Sequence, residues 1–143
     1  MSKFDLPNAV TLFTQNVTSI NSLWTVYVFA TFALAGYGLS APTIEIETAI
    51  VVAAGFWAFA FGHWKLLKQA LVINRSLSVE ISQALTTFEE GDNQFRGSFR
   101  HLSAMANPPL VSLAIHLLID LCCTLALWTR LPPVALWLKR MMS

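Results

Sequence analysis

Within the apolar stretch SLAIHLLIDLCCTLALW, four polar residues stand four apart: Ser112, His116, Asp120 and Thr124. Four residues advance an α-helix by about 400°, so successive members drift by only about 40° and make one gently winding polar stripe. An imidazole and a carboxyl group one turn apart can bind a cation or hand on a proton. The same groups can instead hydrogen-bond to Thr25, Thr31 or a second copy of the stripe, and so fix helix register. Burial favours the neutral acid of Asp120, whereas a protonated His116 favours its carboxylate. In hydrocarbon an ionised aspartate costs about 2.5–3.5 kcal/mol on insertion scales. The stripe is therefore expected to face protein or water, with Asp120 about 15 Å from the start of its helix, near the middle of a bilayer.

Other residues have chemistry to offer but lack its spacing. Two histidines on different helices can clamp a haem iron, and His63 and His116 are the pair that falls within apolar segments. His63 sits just before Lys65, at the expected membrane surface, while His116 lies about 10 Å deep. The depths match poorly, so His63 reads as an interfacial residue beside Trp64, and no cofactor or metal is expected. Cys122 and Cys123 are adjacent in an apolar run, where thiolate formation is disfavoured, and read as packing residues. The sequence contains no HExxH, GxSxG or phosphate-binding glycine loop, so no enzymatic activity is expected.

The elements that must position the stripe follow from composition. Of 143 residues, 55% are hydrophobic and 12% charged, and the mean hydropathy is +0.58. A soluble monomer of this composition would lack the polar residues to cover its surface. No charged residue lies between Asp5 and Glu45 or between Glu47 and Lys65, and only Asp120 lies between Arg100 and Arg130. Each gap holds the roughly 20 apolar residues needed to cross about 30 Å of hydrocarbon as a helix. Three spans are predicted, over 23–41, 48–67 and 110–128. The fold class is all-α, a polytopic membrane protein treated as one membrane domain over 1–143.

Lysine and arginine placement sets orientation, because positive loops stay in the cytoplasm. The loop SAPTIEIET between the first two spans has two glutamates and no basic residue, whereas the second connection carries Lys65, Lys68, Arg75, Arg96 and Arg100. The amino terminus is expected inside and the carboxyl terminus outside, in a bacterial-type inner membrane or a plasma membrane. A cleaved signal peptide is not expected, since the segment before the first span is long and has only Lys3 as a basic residue. The net charge of +1 gives no reason to expect a nucleic-acid partner.

Between the spans the chain reads as amphipathic helix. The segment 1–22 places Val10, Leu12, Phe13 and Val17 largely on one side and is expected to lie at the interface, with Trp24 and Tyr27 marking the headgroup level. After Thr48 no proline occurs until Pro108, so the second helix is expected to run on for about 45 residues, roughly 70 Å, into the cytoplasm. Its stripe of Leu66, Ala70, Ile73, Leu77, Ile81, Ala84 and Phe88 needs something to pack against. Gly91 and Asp92 read as a cap and a restart within the cytoplasmic segment 68–107, followed by a face of Phe95, Phe99, Leu102 and Ala106. The tail 129–143, with its proline break, Trp137, Lys139 and Arg140, is too short to span and reads as a surface anchor. Ala54, Ala58 and Gly62 recur every four residues, and Gly36 and Ser40 offer similar small groups, as in helices that approach closely in lipid.

Three spans leave more face than one subunit can cover, so self-association is expected, with the lipid bilayer as solvent and another membrane protein as an alternative partner. The functional expectation is a homo-oligomeric ion or proton channel or pore using Ser112, His116, Asp120 and Thr124. The alternative is a non-catalytic accessory or scaffold subunit, with a haem-binding electron-transfer subunit more distant.

Overall fold

The structure, a computed structural model, describes residues 5–40, 43–86, 97, 99 and 109–141. These form four helices: α1, Leu6–Ser40; α2, Ile46–Thr86; α3, Pro109–Trp128; and α4, Pro132–Met141. There is no strand among the described residues. α1, α2 and α3 are each long and apolar enough to cross a membrane.

α1 begins under an N-cap, with the Asn8 amide donating to the Asp5 carboxylate at 3.2 Å. It then runs 35 residues without interruption. The expected division between an interfacial piece over 1–22 and a span over 23–41 is thus not marked by any break in the helix. No glycine or proline occurs between Pro7 and Gly36. The hydroxyls that make this stretch look polar turn back onto their own helix: Thr11 donates to Pro7 O at 2.9 Å, Thr14 to Val10 O at 3.0 Å, Thr18 to Thr14 O at 3.1 Å and Ser22 to Thr18 O at 3.0 Å. Such back-bonding hides hydroxyls that a count of polar residues takes as solvent-seeking.

α2 is a 41-residue helix that carries Glu47 in its first turn, where negative charge suits the helix dipole. α3 starts on Pro109, which lacks the amide that a first turn leaves unpaired anyway. A tight turn through Thr129, Arg130 and Leu131 leads to α4, again opened by proline. The Arg130 guanidinium donates to Leu39 O at 3.2 Å, placing a cation on the carbonyl end of α1. The Arg130 carbonyl accepts the Ile44 amide at 3.2 Å and so holds the loop before α2.

The contacts divide the chain into two compact units. The first comprises Met1–Leu23 and Leu66–Ser112. Its core is Ala9, Phe13, Ile81, Leu85 and Phe99, with Leu6, Val10, Val17 and Leu77 packed against it. The Phe13 and Phe99 rings lie 5.3 Å apart, and Asn16 donates to Ala70 O at 2.9 Å. The stripe expected on α2 is rotated here. Ile81 is fully buried and Leu77 packs against the core, but Leu66 and Ile73 are exposed. Their places inside are taken by Leu67, Leu71 and Asn74. Adjacent leucines at 66 and 67 leave the register open, and an inward asparagine breaks the apolar count that favours Ile73. Phe88, Gly91, Asp92, Phe95, Leu102 and Ala106 lie outside the described residues.

The second unit comprises Trp24–Lys65 and Leu113–Ser143. Leu34, Ile44, Ala49, Phe56, Cys123, Leu127 and Leu131 form its apolar core. Within this chain Ala54, Ala58 and Gly62, expected to pack helices, lie on the exposed side of α2, and a Cβ added at Gly62 would meet nothing within 4 Å. The inward side carries Ala49, Phe56, Ala60 and His63. Close approach occurs at Gly38, neither Gly36 nor Ser40: a Cβ there would lie 3.4 Å from the Leu127 backbone.

Candidate functional site

The second unit holds a chain of hydrogen bonds that links α1, α2 and α3. On α3, His116 and Asp120 stand one turn apart, with His116 Nδ1 3.1 Å from Asp120 Oδ2. From α1 the Tyr27 hydroxyl donates to Asp120 Oδ1 at 2.8 Å and lies 3.0 Å from the His116 carbonyl. From α2, His63 Nδ1 is 3.0 Å from His116 Nε2. All four residues are buried: Tyr27 is 0% exposed, His116 1%, Asp120 2% and His63 5%.

The rings reinforce the bonds. Tyr27 lies over His116 with centroids 3.8 Å apart, and over His63 at 5.2 Å. Trp24 and Trp64 each stand 6.1 Å from His116, and Phe59 stands 5.7 Å from His63. These aromatic walls displace water while leaving the polar atoms to one another. In such surroundings an unpaired polar group is costly, and the observed pairing removes that cost.

Three members of the expected stripe are buried and Thr124 is half-buried, and the four do different work. His116 and Asp120 belong to the chain of bonds. Thr124 does not: its hydroxyl donates to Asp120 O at 2.8 Å and receives Trp57 Nε1–H at 3.1 Å, clipping α2 to α3. Ser112 is buried with its hydroxyl unpaired and belongs to the first unit. Thr31, an expected partner of the stripe, donates to Val28 O in its own helix at 2.8 Å. Cys123 packs inward as expected, its thiol 3.8 Å from Thr31 O, whereas Cys122 is exposed.

His63, expected as an interfacial residue beside Trp64, is buried against His116. Lys65 made that position look like the membrane surface, but a lysine stem can reach past apolar surface while the ring two residues earlier points inward. Tyr27, read as a headgroup marker, is the most buried member of the site. Its signal was the row Tyr27, Thr31, Leu34 and Gly38, spaced four, three and four, which is the inward side of α1.

The two imidazoles meet, unlike the mismatch expected, yet their geometry does not suit an axial clamp on a haem iron. Nitrogens on opposite sides of one ion, each at about 2.0–2.1 Å, stand about 4 Å apart; these are 3.0 Å apart, at hydrogen-bond distance from each other. Among the described residues, no group of three or more His, Cys, Asp or Glu side chains is placed to hold a metal ion.

No protein-family model matches this chain, and neither a curated protein nor a solved structure does. Its function must be argued from the site. Beyond Asp120 towards Arg130, the buried positions of α3 are Cys123 and Leu127, followed by Leu131. Leu34, Phe56, Val52, Ala53 and Ile119 pack with them. Beyond Asp120 the described polar side chains Thr31 and Thr124 bond helix backbone or Trp57, and the rest of the described interior is this apolar core.

Proposed function

We propose that this protein is an integral membrane protein that serves as a non-catalytic accessory or scaffold subunit, with its amino terminus and the 68–107 connection in the cytoplasm and its carboxyl terminus on the other side. The supporting observation is the fate of the polar stripe. His116 and Asp120 are satisfied by partners within one chain, and apolar side chains fill the interior beyond them. An open pore needs a wet, continuous lining, and past Asp120 the described interior of this unit is mainly apolar.

The same burial changes the argument for self-association. A single chain shelters Asp120, so the carboxyl group does not require a second copy. What remains to be covered is apolar. Phe29, Phe32, Leu118 and Leu125 suit lipid, and Val72, Ile73 and Val79 on the later part of α2 offer surface for a protein partner.

The test is passive ion and proton flux through purified protein in liposomes. Flux no greater than in empty vesicles is expected. Sustained flux that Asp120→Leu removes would overturn the accessory reading in favour of a channel.

A further inference from the structure

One side of α2 is exposed from end to end. In the first unit Gln69, Val72, Ser76, Val79 and Gln83 are exposed and follow steps of three, four, three and four, the spacing that keeps one seam of a helix against a partner helix. Val72 stands about 180° round α2 from Ile81, which is buried in the core. Around Val72, Ser76 and Val79 lies a groove of about 400 Å³, lined also by Arg75, Glu80 and Pro109. Arg75 and Glu80 are about 140° apart around the helix and flank the seam from opposite sides. Among the described residues neither enters an ion pair. The same phase, carried back along α2 into the second unit, falls on Lys65, Gly62, Ala58, Gly55 and Val51, all exposed and again in steps of three and four. A Cβ added at Gly55 or Gly62 would meet nothing within 4 Å.

We propose that this face of α2 binds the same face of a second copy of the chain, the two helices running parallel as a two-stranded coiled coil. This rests on the accessory reading, in which α2 crosses a membrane and both copies stand the same way up, and it names the protein partner that reading calls for. The charges carry the proposal. In a parallel pair, a residue on one flank of the seam meets the residue five further on, on the opposite flank of the other helix. Arg75 of each copy therefore reaches Glu80 of the other, and the two-fold axis makes this contact twice. Lys68 precedes Arg75 by seven residues on the same flank and lays its stem along Ile73 of the other copy, which covers an exposed apolar side chain. An antiparallel pair sets like flanks together, Lys68 against Arg75, and needs copies inserted in opposite directions.

The seam changes chemistry where its solvent changes. In water the burial of Val72 and Val79 drives association. In lipid that force is missing, and helices associate through close approach of small residues such as Gly55, Ala58 and Gly62. Gln69 and Gln83 each meet their own copy across the axis, where an amide both donates and accepts. Polar residues on a seam fix its register at a cost in stability. Lys65, the cation of the row, holds its ammonium 4.6 Å from the Phe61 ring centroid of its own helix. A bilayer covers only the small-residue part, because Gln69 to Gln83 rises a further 21 Å or so, about four turns, along the same helix.

Förster transfer between donor- and acceptor-labelled copies, tagged at the amino terminus and reconstituted in phosphatidylcholine liposomes, tests the proposal as protein density is varied. Transfer above that of random proximity is expected. Arg75→Glu or Glu80→Arg alone sets like charges together at both symmetric contacts. Each is expected to weaken pairing by about tenfold, since an exposed ion pair is worth a factor of up to about five. The double variant Arg75→Glu with Glu80→Arg re-forms both contacts in the reverse sense and is expected to recover wild-type pairing, which a general loosening of the fold would not do. Gly62→Leu fills the seam within lipid and is expected to weaken pairing by about tenfold or more. Its helical circular-dichroism signal should stay as in wild type, because its own chain leaves that space open. Transfer no greater than random, as when lipid or a different protein covers this face, would overturn the seam. So would charge swaps that add instead of rescuing each other, or pairing unaltered by Gly62→Leu. Flux through the same vesicles reads the accessory proposal separately: flux with pairing removes only the accessory reading, and no pairing without flux removes only the seam.

Discussion

Replacing Tyr27 with Phe isolates the hydroxyl that ties α1 to α3. The ring remains, and with it the stacking on His116 at 3.8 Å. What is lost is the donor to Asp120 Oδ1 at 2.8 Å and its approach to the His116 carbonyl at 3.0 Å. The carbonyl loses little, because as part of α3 it already accepts an amide from the next turn. The carboxyl oxygen is the costly orphan. A buried acceptor deprived of its donor costs about 1–3 kcal/mol, while side-chain hydrogen bonds in membrane proteins average about 0.6 and reach about 1.7 kcal/mol. Since Asp120 is 2% exposed, the upper part of the membrane range applies, about 1–2 kcal/mol. The assay is reversible unfolding in mixed detergent micelles followed by circular dichroism. A cycle with Asp120→Leu separates this bond from general loosening, because without the carboxyl group Tyr27→Phe should cost at least about 0.6 kcal/mol less. Additivity within about 0.3 kcal/mol would show that Tyr27 and Asp120 are not coupled and would refute the geometry on which the site depends.

Three further substitutions probe the elements that hold the site. Gly38→Leu must push α1 from α3 at Leu127, where a Cβ already stands 3.4 Å from backbone; unfolding in the same micelles should show a loss of about 1–3 kcal/mol, with Gly38→Ala much closer to wild type. Gly62→Ala meets nothing within 4 Å and should stabilise by about 0.5–1 kcal/mol through helix propensity; destabilisation would show that this side of α2 is packed after all. Arg130→Gln removes the cation on Leu39 O and should speed amide exchange in the last turn of α1 while leaving the Tyr27 to His116 stacking unchanged, as measured by hydrogen exchange and by NMR shifts of the rings.

The parts legible in the sequence were those in which one residue type stands out from its background. A carboxyl group and an imidazole four apart in an apolar helix announce an inward stripe, and Asp120 and His116 are indeed buried. The helical class and the apolar segments follow from charge-free gaps that admit few other readings. Errors arose where the background itself was ambiguous. Leu66 and Leu67 are equivalent to any apolar count, so the inward row of α2 depended on Asn74, whose side chain a pattern search assigns outward. Tyr27 and His63 were placed by their distance along the chain from charged or polar neighbours. Rotation about the helix axis decides burial as strongly as depth does, and for His63 the relevant information lay on α3. The breakless course of α1 was hidden for a simpler reason: its threonines and serine bond their own helix, so their polarity carries no information about solvent.

Register alone does not explain the choice of side chains at this site. Helices can be tied by serine, threonine or asparagine, which stay neutral and keep their hydrogen bonds. Here, beside the Trp57 to Thr124 bond, a tie between α2 and α3 is made by two imidazoles, supported at one end by a carboxyl group. As fasteners they are modest, since one imidazole–imidazole bond is worth about 0.6 kcal/mol at the average for such contacts. Their distinguishing property is that each ring can receive a proton on one nitrogen and release one from the other. His63→Gln keeps an amide donor towards His116 and should lose less than that average, whereas His63→Leu, which keeps none, should lose about that average or more. Measured beside Tyr27→Phe by the same unfolding assay, these variants compare the bonds at the two ends of the chain.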